Sequence, residues 1–266
     1  PAAQGERPAR RASIHRYPVK SIGGEPLAEA ALTPRAALPG DRRFALLHQA
    51  ALHHLDGGRL RKWLPKSAFV RGAAAAPLQA VKGGWDGAAL HLTHPELPDL
   101  RFDPMAEPEA LAVWVAPLWA DSGKAPPARL VEVEPAATEE RSTQALTDVK
   151  QPWVSILSLS SLAALEGQLG RPLGRDRWRG NLWIDGWAPY AERDLRLNRI
   201  RIGEVELKLT ERIGRCAATS ADTDTGRLDG DMPADLERLF DHSDFGIYAE
   251  VRQGGAIRPG DPVEVL

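Results

Sequence analysis

The feature that most constrains this chain is a short-range alternation of apolar and polar residues, broken every few positions by Gly, Pro or Asp-Gly. That period matches a half-buried strand, whose successive side chains leave opposite faces, and does not match a helix. Segments 12–19, 27–32, 42–48 and 88–93 read as strands, as do 129–134, 181–184, 198–202, 205–211, 246–252 and 262–265. Turns fall at Pro39-Gly40-Asp41 and around Asp56-Gly57-Gly58. Helical spacing is confined to three places. One follows Pro108, from Glu109 to Trp119, where Pro117 is expected to shorten it. A second runs from Ser158 to Leu169, with Leu159, Leu162, Leu165 and Leu169 along one face and Gly170 closing it. The third, 233–240, opens on Pro233. Strands at this density with so few helices predict a mainly β protein of α+β type, with a closed or nearly closed β-barrel in each half. The stretch 121–128 reads as the connection, dividing the chain into 10–128 and 129–266, and 135–152 reads as irregular.

Such a core needs apolar material, and 43% hydrophobic residues in a 266-residue chain supply it. A formal net charge of −2 argues against a nucleic-acid footprint or an acidic-membrane surface. The longest strongly apolar uncharged run, between Lys150 and Glu166, contains Ser155, Ser158, Ser160 and Ser161. It falls short of the roughly 20 mostly apolar residues that span a bilayer. The opening PAAQGERPARR has no apolar signal core. A cytoplasmic protein with no membrane and no nucleic-acid partner is expected. One cysteine excludes an intrachain disulfide and a Cys-rich zinc or iron–sulfur site. His53-His54 and the pair His91 and His94 lack Cys or acidic partners at zinc-site spacing.

Three groups of residues can carry chemistry. The first surrounds the lone cysteine, where Arg212 and Arg215 precede Cys216, small and hydroxyl residues follow it, and Asp222 lies beyond. Flanking arginines favour a thiolate, which is both a metal ligand and a nucleophile; the alternative is a small buried hydrophobe. The second is Arg177-Trp178-Arg179-Gly180-Asn181. On extended backbone its two arginines point to one side and can clamp a phosphate, with Asn181 offering an amide to a heterocycle. The alternative is a solvated loop anchored by Trp178. The third joins Lys20-Ser21, after Tyr17-Pro18-Val19, to Asp41-Arg42-Arg43-Phe44. Lysine, hydroxyl and arginine suit a phosphate, and each alone also suits an exposed surface.

Together these pieces resemble the MOSC family (molybdenum cofactor sulfurase C-terminal domain), in the form preceded by an N-terminal MOSC β-barrel domain. YPVKSIGGEPL and GDRRFALL resemble the N-terminal domain; RWRGNLWI, RIGEVELKL, RCAATSADTDTG and the closing GGAIRPGDPVEVL resemble the MOSC domain. The co-occurrence of Arg-Cys, Arg-x-Arg-x-Asn and Tyr-Pro-Val-Lys-Ser makes the likeness specific.

The resemblance implies a molybdenum–molybdopterin cofactor with Cys216 as the protein ligand of the metal. It implies cofactor contacts from Lys20, Ser21, Arg42, Arg179, Asn181 and Arg215, and from Ser158 and Ser161 at a helix start that favours anions. Asp222 is the suggested proton relay. The family includes amidoxime-reducing proteins, so the implied activity is reduction of N-hydroxylated small molecules by oxygen-atom abstraction at the Cys-ligated metal. The alternative is a non-enzymatic carrier of molybdopterin, or of sulfane sulfur on Cys216. The resemblance extends to bacterial relatives that append an iron–sulfur domain; here no further cysteine follows, so electrons are expected from a separate donor protein. Gly180 stands where relatives often carry Pro.

Overall fold

The computed structural model describes residues 9–60, 64–132 and 147–266. The opening stretch 1–8, the end of the strand expected at 129–134 and most of 135–152 lie outside the described residues. As expected, the fold is mainly β with few helices. Its principal element is an eight-stranded mixed sheet, in the order Val263–Val265, Arg199–Ile202, Val205–Gly214, Asp244–Gln253, Val154–Ser158, Leu182–Asp185, Arg10–Arg16, Glu25–Leu27.

Alternation does what it should in this sheet. Val205, Leu207 and Leu209 are fully buried while Glu206 and Lys208 between them are half-buried. Leu207 faces Val251 across one ladder and Ile200 across the other. With Ile14, Ile156, Leu182 and Ile247 they form one apolar cluster. One neighbouring pair, Val154–Ser158 and Leu182–Asp185, is parallel, with Ile156 opposite Leu182. Parallel neighbours need a crossover, and helix α2 (Leu159–Leu169) forms part of it. The Ser158 hydroxyl accepts the Ser161 N–H at 3.4 Å to start α2, and Gly170 ends it at φ 69°.

The sheet does not close into a barrel. Glu25–Leu27 pairs with residues 14–16 and takes up the ladder edge needed to close on Val263–Val265. The seam is drawn together only where Arg10 bridges Pro262 and the Val263 N–H donates to the Ala9 carbonyl.

The expected N-terminal barrel is likewise absent among the described residues. There Lys82–Trp85, Leu90–His94 and Leu97–Phe102 make a three-stranded meander, and Phe44–His48 pairs with Pro127–Glu132. Short strands broken by 3-10 turns such as Gln49–His54 and Ala76–Ala80 leave no continuous ladder to curl. Helix α1 (Ala110–Trp119) packs Leu111, Val115 and Leu118 into the same core as Phe44, Leu92 and Leu130. Pro117 does not shorten it: the proline sits in the last turn, and only Val113, 75% exposed, loses a bond there.

Strand pairs cross the division expected at residue 128. Arg10–Arg16 pairs with Leu182–Asp185, and Ala30–Leu32 with Gly255–Ile257. Residues from both parts of the sequence therefore reach one place.

Candidate functional site

That place is a cavity of about 230 Å³. Lys20, Ser21, Arg42, Arg179, Arg215 and Cys216, all expected from the sequence, line it.

The first three arrive through backbone pairing. Arg42 N–H donates to the Tyr17 carbonyl at 2.7 Å, Phe44 N–H to Pro18 at 2.9 Å, and Lys20 N–H to Phe44 at 2.8 Å. Asp41, 3% exposed, ties the crossing by accepting the Tyr17 N–H at 2.8 Å and the Arg42 guanidinium at 2.8 and 2.9 Å. Ser21, Arg42 and Arg179 all have left-handed backbone, with φ of 64°, 46° and 50°. Such conformations cost side-chain-bearing residues about 1–3 kcal/mol each and persist where surrounding structure enforces them.

Arg179 comes from the other side. Its guanidinium donates to the Val19 carbonyl at 3.0 Å and to Gly23 at 2.5 Å, and its carbonyl accepts from Arg42 at 2.9 Å. The Arg179 and Arg42 guanidiniums lie 4.4 and 4.7 Å from the Tyr17 ring centroid, within cation–π range. Burial, with nearby Arg42 adding to it, lowers Arg179 to about 10, so it stays cationic at neutral pH. Gly180 follows where a Cβ would stand 2.2 Å from the Leu157 Cδ1, a close approach that suits glycine.

Arg177 does not join Arg179 as a clamp. Residues 176–178 form a 3-10 turn rather than extended backbone, so the two side chains diverge. Arg177 is buried, donating to Leu173, to the Thr219 carbonyl and to both oxygens of Asp229.

Cys216 is exposed on the cavity rather than buried as a small hydrophobe. It follows Val205–Gly214, whose register shifts twice between Leu209 and Gly214; such bulges bend a strand end and re-aim it. The Thr219 N–H and hydroxyl both donate to the Cys216 carbonyl, at 3.0 and 2.8 Å. The expected flanking pair of arginines is not formed. Arg212 is exposed and donates to the Arg193 carbonyl, away from the cavity, while Arg215 donates to Phe245 and Trp178 carbonyls. Burial lowers Arg215 to about 10.

Four expected residues do not line the cavity. Ser158 caps α2, and the Ser161 hydroxyl donates to buried Glu192 at 2.8 Å. Asn181, 2% exposed, accepts from Ser155 N–H and hydroxyl and donates to the His15 carbonyl. It stands behind Ser155, which is on the cavity wall. Asp222 closes a turn, accepting from Asp224 N–H, Thr225 N–H and the Thr225 hydroxyl.

Sequence reading missed Lys66, Arg71, Gln79, Asp148 and Tyr248, which also line the cavity. Lys66, Arg71, Gln79 and Asp148 come from segments without a motif, so spacing gives no sign of them. Lys20 donates to Asp148 at 2.6 Å. Burial works to raise Asp148, but Lys20 and Arg42 outweigh it and hold the carboxyl well below the usual range. A carboxylate so depressed adds stability above its ordinary pKa of about 4, and that contribution is lost as pH falls towards the depressed value. Acid titration of Asp148→Asn followed by circular dichroism is expected to show a shallower loss of stability below about pH 4 than the parent. Identical acid limbs would count against the pair. Half of the Asp148 side chain is exposed, so the effect is modest.

Residues 144–264 match the MOSC domain family. That match takes in a little under half of the chain. The chain is 31% identical over 180 residues to mitochondrial amidoxime-reducing component 1 of Homo sapiens, covering 59% of this chain and 51% of that protein. It is 37% identical over 123 residues to the Mus musculus protein of the same name, covering 42% and 36%. The chain thus spans about half the length of the human relative and less of the mouse one. Among solved structures, the YUAD protein from Bacillus subtilis covers 97% of this chain and 95% of its own at 12% identity, with a TM-score of 0.44. The MOSC match and the two amidoxime-reducing relatives support a molybdenum-cofactor-related function. No helix among the described residues is long and apolar enough to cross a membrane.

Proposed function

We propose that the chain binds a molybdenum–molybdopterin cofactor in this cavity and reduces N-hydroxylated small molecules with it. One observation carries the proposal: an exposed thiol, Cys216, shares a cavity with Lys20, Ser21, Arg42 and Arg179. A thiol ligand together with a cationic, hydroxyl-bearing cradle is the donor set that a phosphate-bearing metal cofactor requires.

In this reading Lys20, Ser21 and Arg42 hold the phosphate, Arg179 and Arg215 shape the wall, and Cys216 is the metal ligand. When bound, the group supplies the two-electron redox chemistry. The net reaction takes two electrons and two protons to convert an N–OH compound into the N–H compound and water. Asn181 fixes Ser155 on the cavity wall, while Ser158 and Ser161 hold the start of α2. Hydrogen bonds to the Asp222 carboxylate, from the Thr225 hydroxyl first, lower its pKa despite partial desolvation. Asp222 shapes the loop after Cys216, and Asp222 or a water supplies the protons. A separate protein delivers the electrons. The proposal treats 10–128 and 129–266 as two units exchanging strands across their boundary.

The exposure of Cys216 also favours a second reading, a carrier that delivers molybdopterin or sulfane sulfur without turnover. The test is expression in a host that makes the cofactor, followed by molybdenum and oxidised-pterin analysis and assay of benzamidoxime with a chemical reductant. Equimolar molybdenum with turnover is expected. Molybdenum or pterin without turnover favours the molybdopterin carrier, and protein free of both metal and pterin sinks the reductase and leaves only the sulfane-sulfur carrier.

A further inference from the structure

Five arginines line the cavity, and four of them have their guanidiniums engaged by the protein. Arg42 is bound by Asp41, Arg177 by Asp229, Arg179 by the Val19 and Gly23 carbonyls, and Arg215 by the Phe245 and Trp178 carbonyls. Arg71 is different. Its half-buried side chain reaches the cavity and makes no hydrogen bond or ion pair with any described residue.

A second donor lies beside it. Gln79, 7% exposed, lines the same cavity, and its amide nitrogen is buried without a partner. A buried amide N–H without an acceptor costs about 1–3 kcal/mol, so a group that supplies one is favoured. Gly72 joins these features to the thiol loop. A Cβ built there would lie 1.9 Å from the Gln79 nitrogen and 3.4 Å from the Cβ of Ala218, two residues beyond Cys216. The segment carrying Arg71 thus packs against the loop that carries the thiol, while Lys20 is engaged by Asp148.

We infer that Arg71, assisted by Gln79, is a specificity-determining residue that recognises an oxyanion on the substrate. The compounds reduced are therefore carboxylate- or phosphate-bearing N-hydroxylated molecules in preference to neutral ones. This rests on the cofactor and reaction proposed above. An arginine with free donors pairs with a carboxylate or phosphate in a fork geometry that a neutral amide cannot match. The other oxyanion that could satisfy Arg71 is the cofactor's own phosphate, and the experiment separates the two.

Cofactor-loaded protein is titrated calorimetrically with 4-carbamoylbenzoate and with neutral terephthalamide, unreactive probes of equal shape. Turnover of 4-carboxybenzamidoxime and benzamidoxime is measured in parallel, on the parent, Arg71→Gln and Gln79→Leu. A charge-assisted pair predicts that the parent binds the carboxylate at least about 10-fold more tightly, and that Arg71→Gln erases the difference with molybdenum content unchanged. Its KM for the carboxylate substrate rises about 10-fold while that for benzamidoxime holds. Gln79→Leu is expected to weaken carboxylate binding by a smaller factor. Equal binding of the two probes by the parent overturns the inference. So does loss of molybdenum and pterin from Arg71→Gln, which assigns Arg71 to the cofactor. Retained discrimination between the probes without turnover of either compound leaves the anion site standing and sinks the reductase reading instead.

Discussion

Replacing Cys216 by serine is expected to leave the protein folded and to reduce turnover per bound molybdenum by at least about 100-fold. The upper range for losing a mere supporting contact to a metal ligand is about that size, and a ligand itself matters more. Serine keeps the shape but offers a hydroxyl that is hardly ever ionised near neutral pH, in place of a soft sulfur donor. Stability should move little, within about 0.5 kcal/mol, because the side chain is exposed and the loop is held through the Cys216 carbonyl by Thr219. Lys20, Ser21 and Arg42 remain in the serine variant, so pterin is expected to stay bound. The measurement is activity per molybdenum with a chemical reductant, beside a thermal melt. Parental turnover per metal in the variant would remove Cys216 from the coordination proposed here.

Arg177→Met is expected to show the largest loss of stability among the arginines of the cavity. The Arg177 side chain is 1% exposed and forms a two-point ion pair with Asp229, at 2.7 and 3.0 Å. It also donates to Leu173 and Thr219 carbonyls, tying the turn before Arg179 to the loop after Cys216. Breaking a buried pair costs about 3–5 kcal/mol because the partner is left uncompensated. Asp229 keeps Arg171 at 2.9 Å and is partly exposed, so the lower end, about 3 kcal/mol, is expected. For a chain this long that lowers the melting temperature by about 6–12 °C. If Arg177 were instead half of a phosphate clamp, the melt would hold while cofactor content fell. A calorimetric melt with molybdenum analysis on the same sample decides between them.

Arg177 also shows where sequence reading reached its limit. Two arginines at i and i+2 share a face only on extended backbone, and residues 176–178 turn instead. The turn is stabilised by partners dozens of residues away, Thr219 and Asp229, which local spacing cannot represent. The strand Val154–Ser158 escaped for a related reason. All five of its residues are buried, so it shows no alternation, the signal by which the half-buried strands were found. Barrel closure failed on pairing: residues 14–16 pair with the next strand in the chain, Glu25–Leu27, and alternation within a strand does not say which neighbour it takes.

By itself the sequence determined the mainly β character, the α2 helix with its glycine stop, and six residues of the cavity. It could do so because alternation, capping chemistry and the Lys-Ser, Arg-x-Arg-x-Asn and Arg-Cys motifs are local, written in neighbouring positions. Only the tertiary structure decided which cations around Cys216 are already bound and which are free. Arg42, Arg177, Arg179 and Arg215 look alike in sequence to Arg71. Their partners, a carboxylate or a carbonyl from a distant strand or loop in most cases, are brought to them by folding, and so the number of unengaged donors facing a ligand is a property of the assembled cavity.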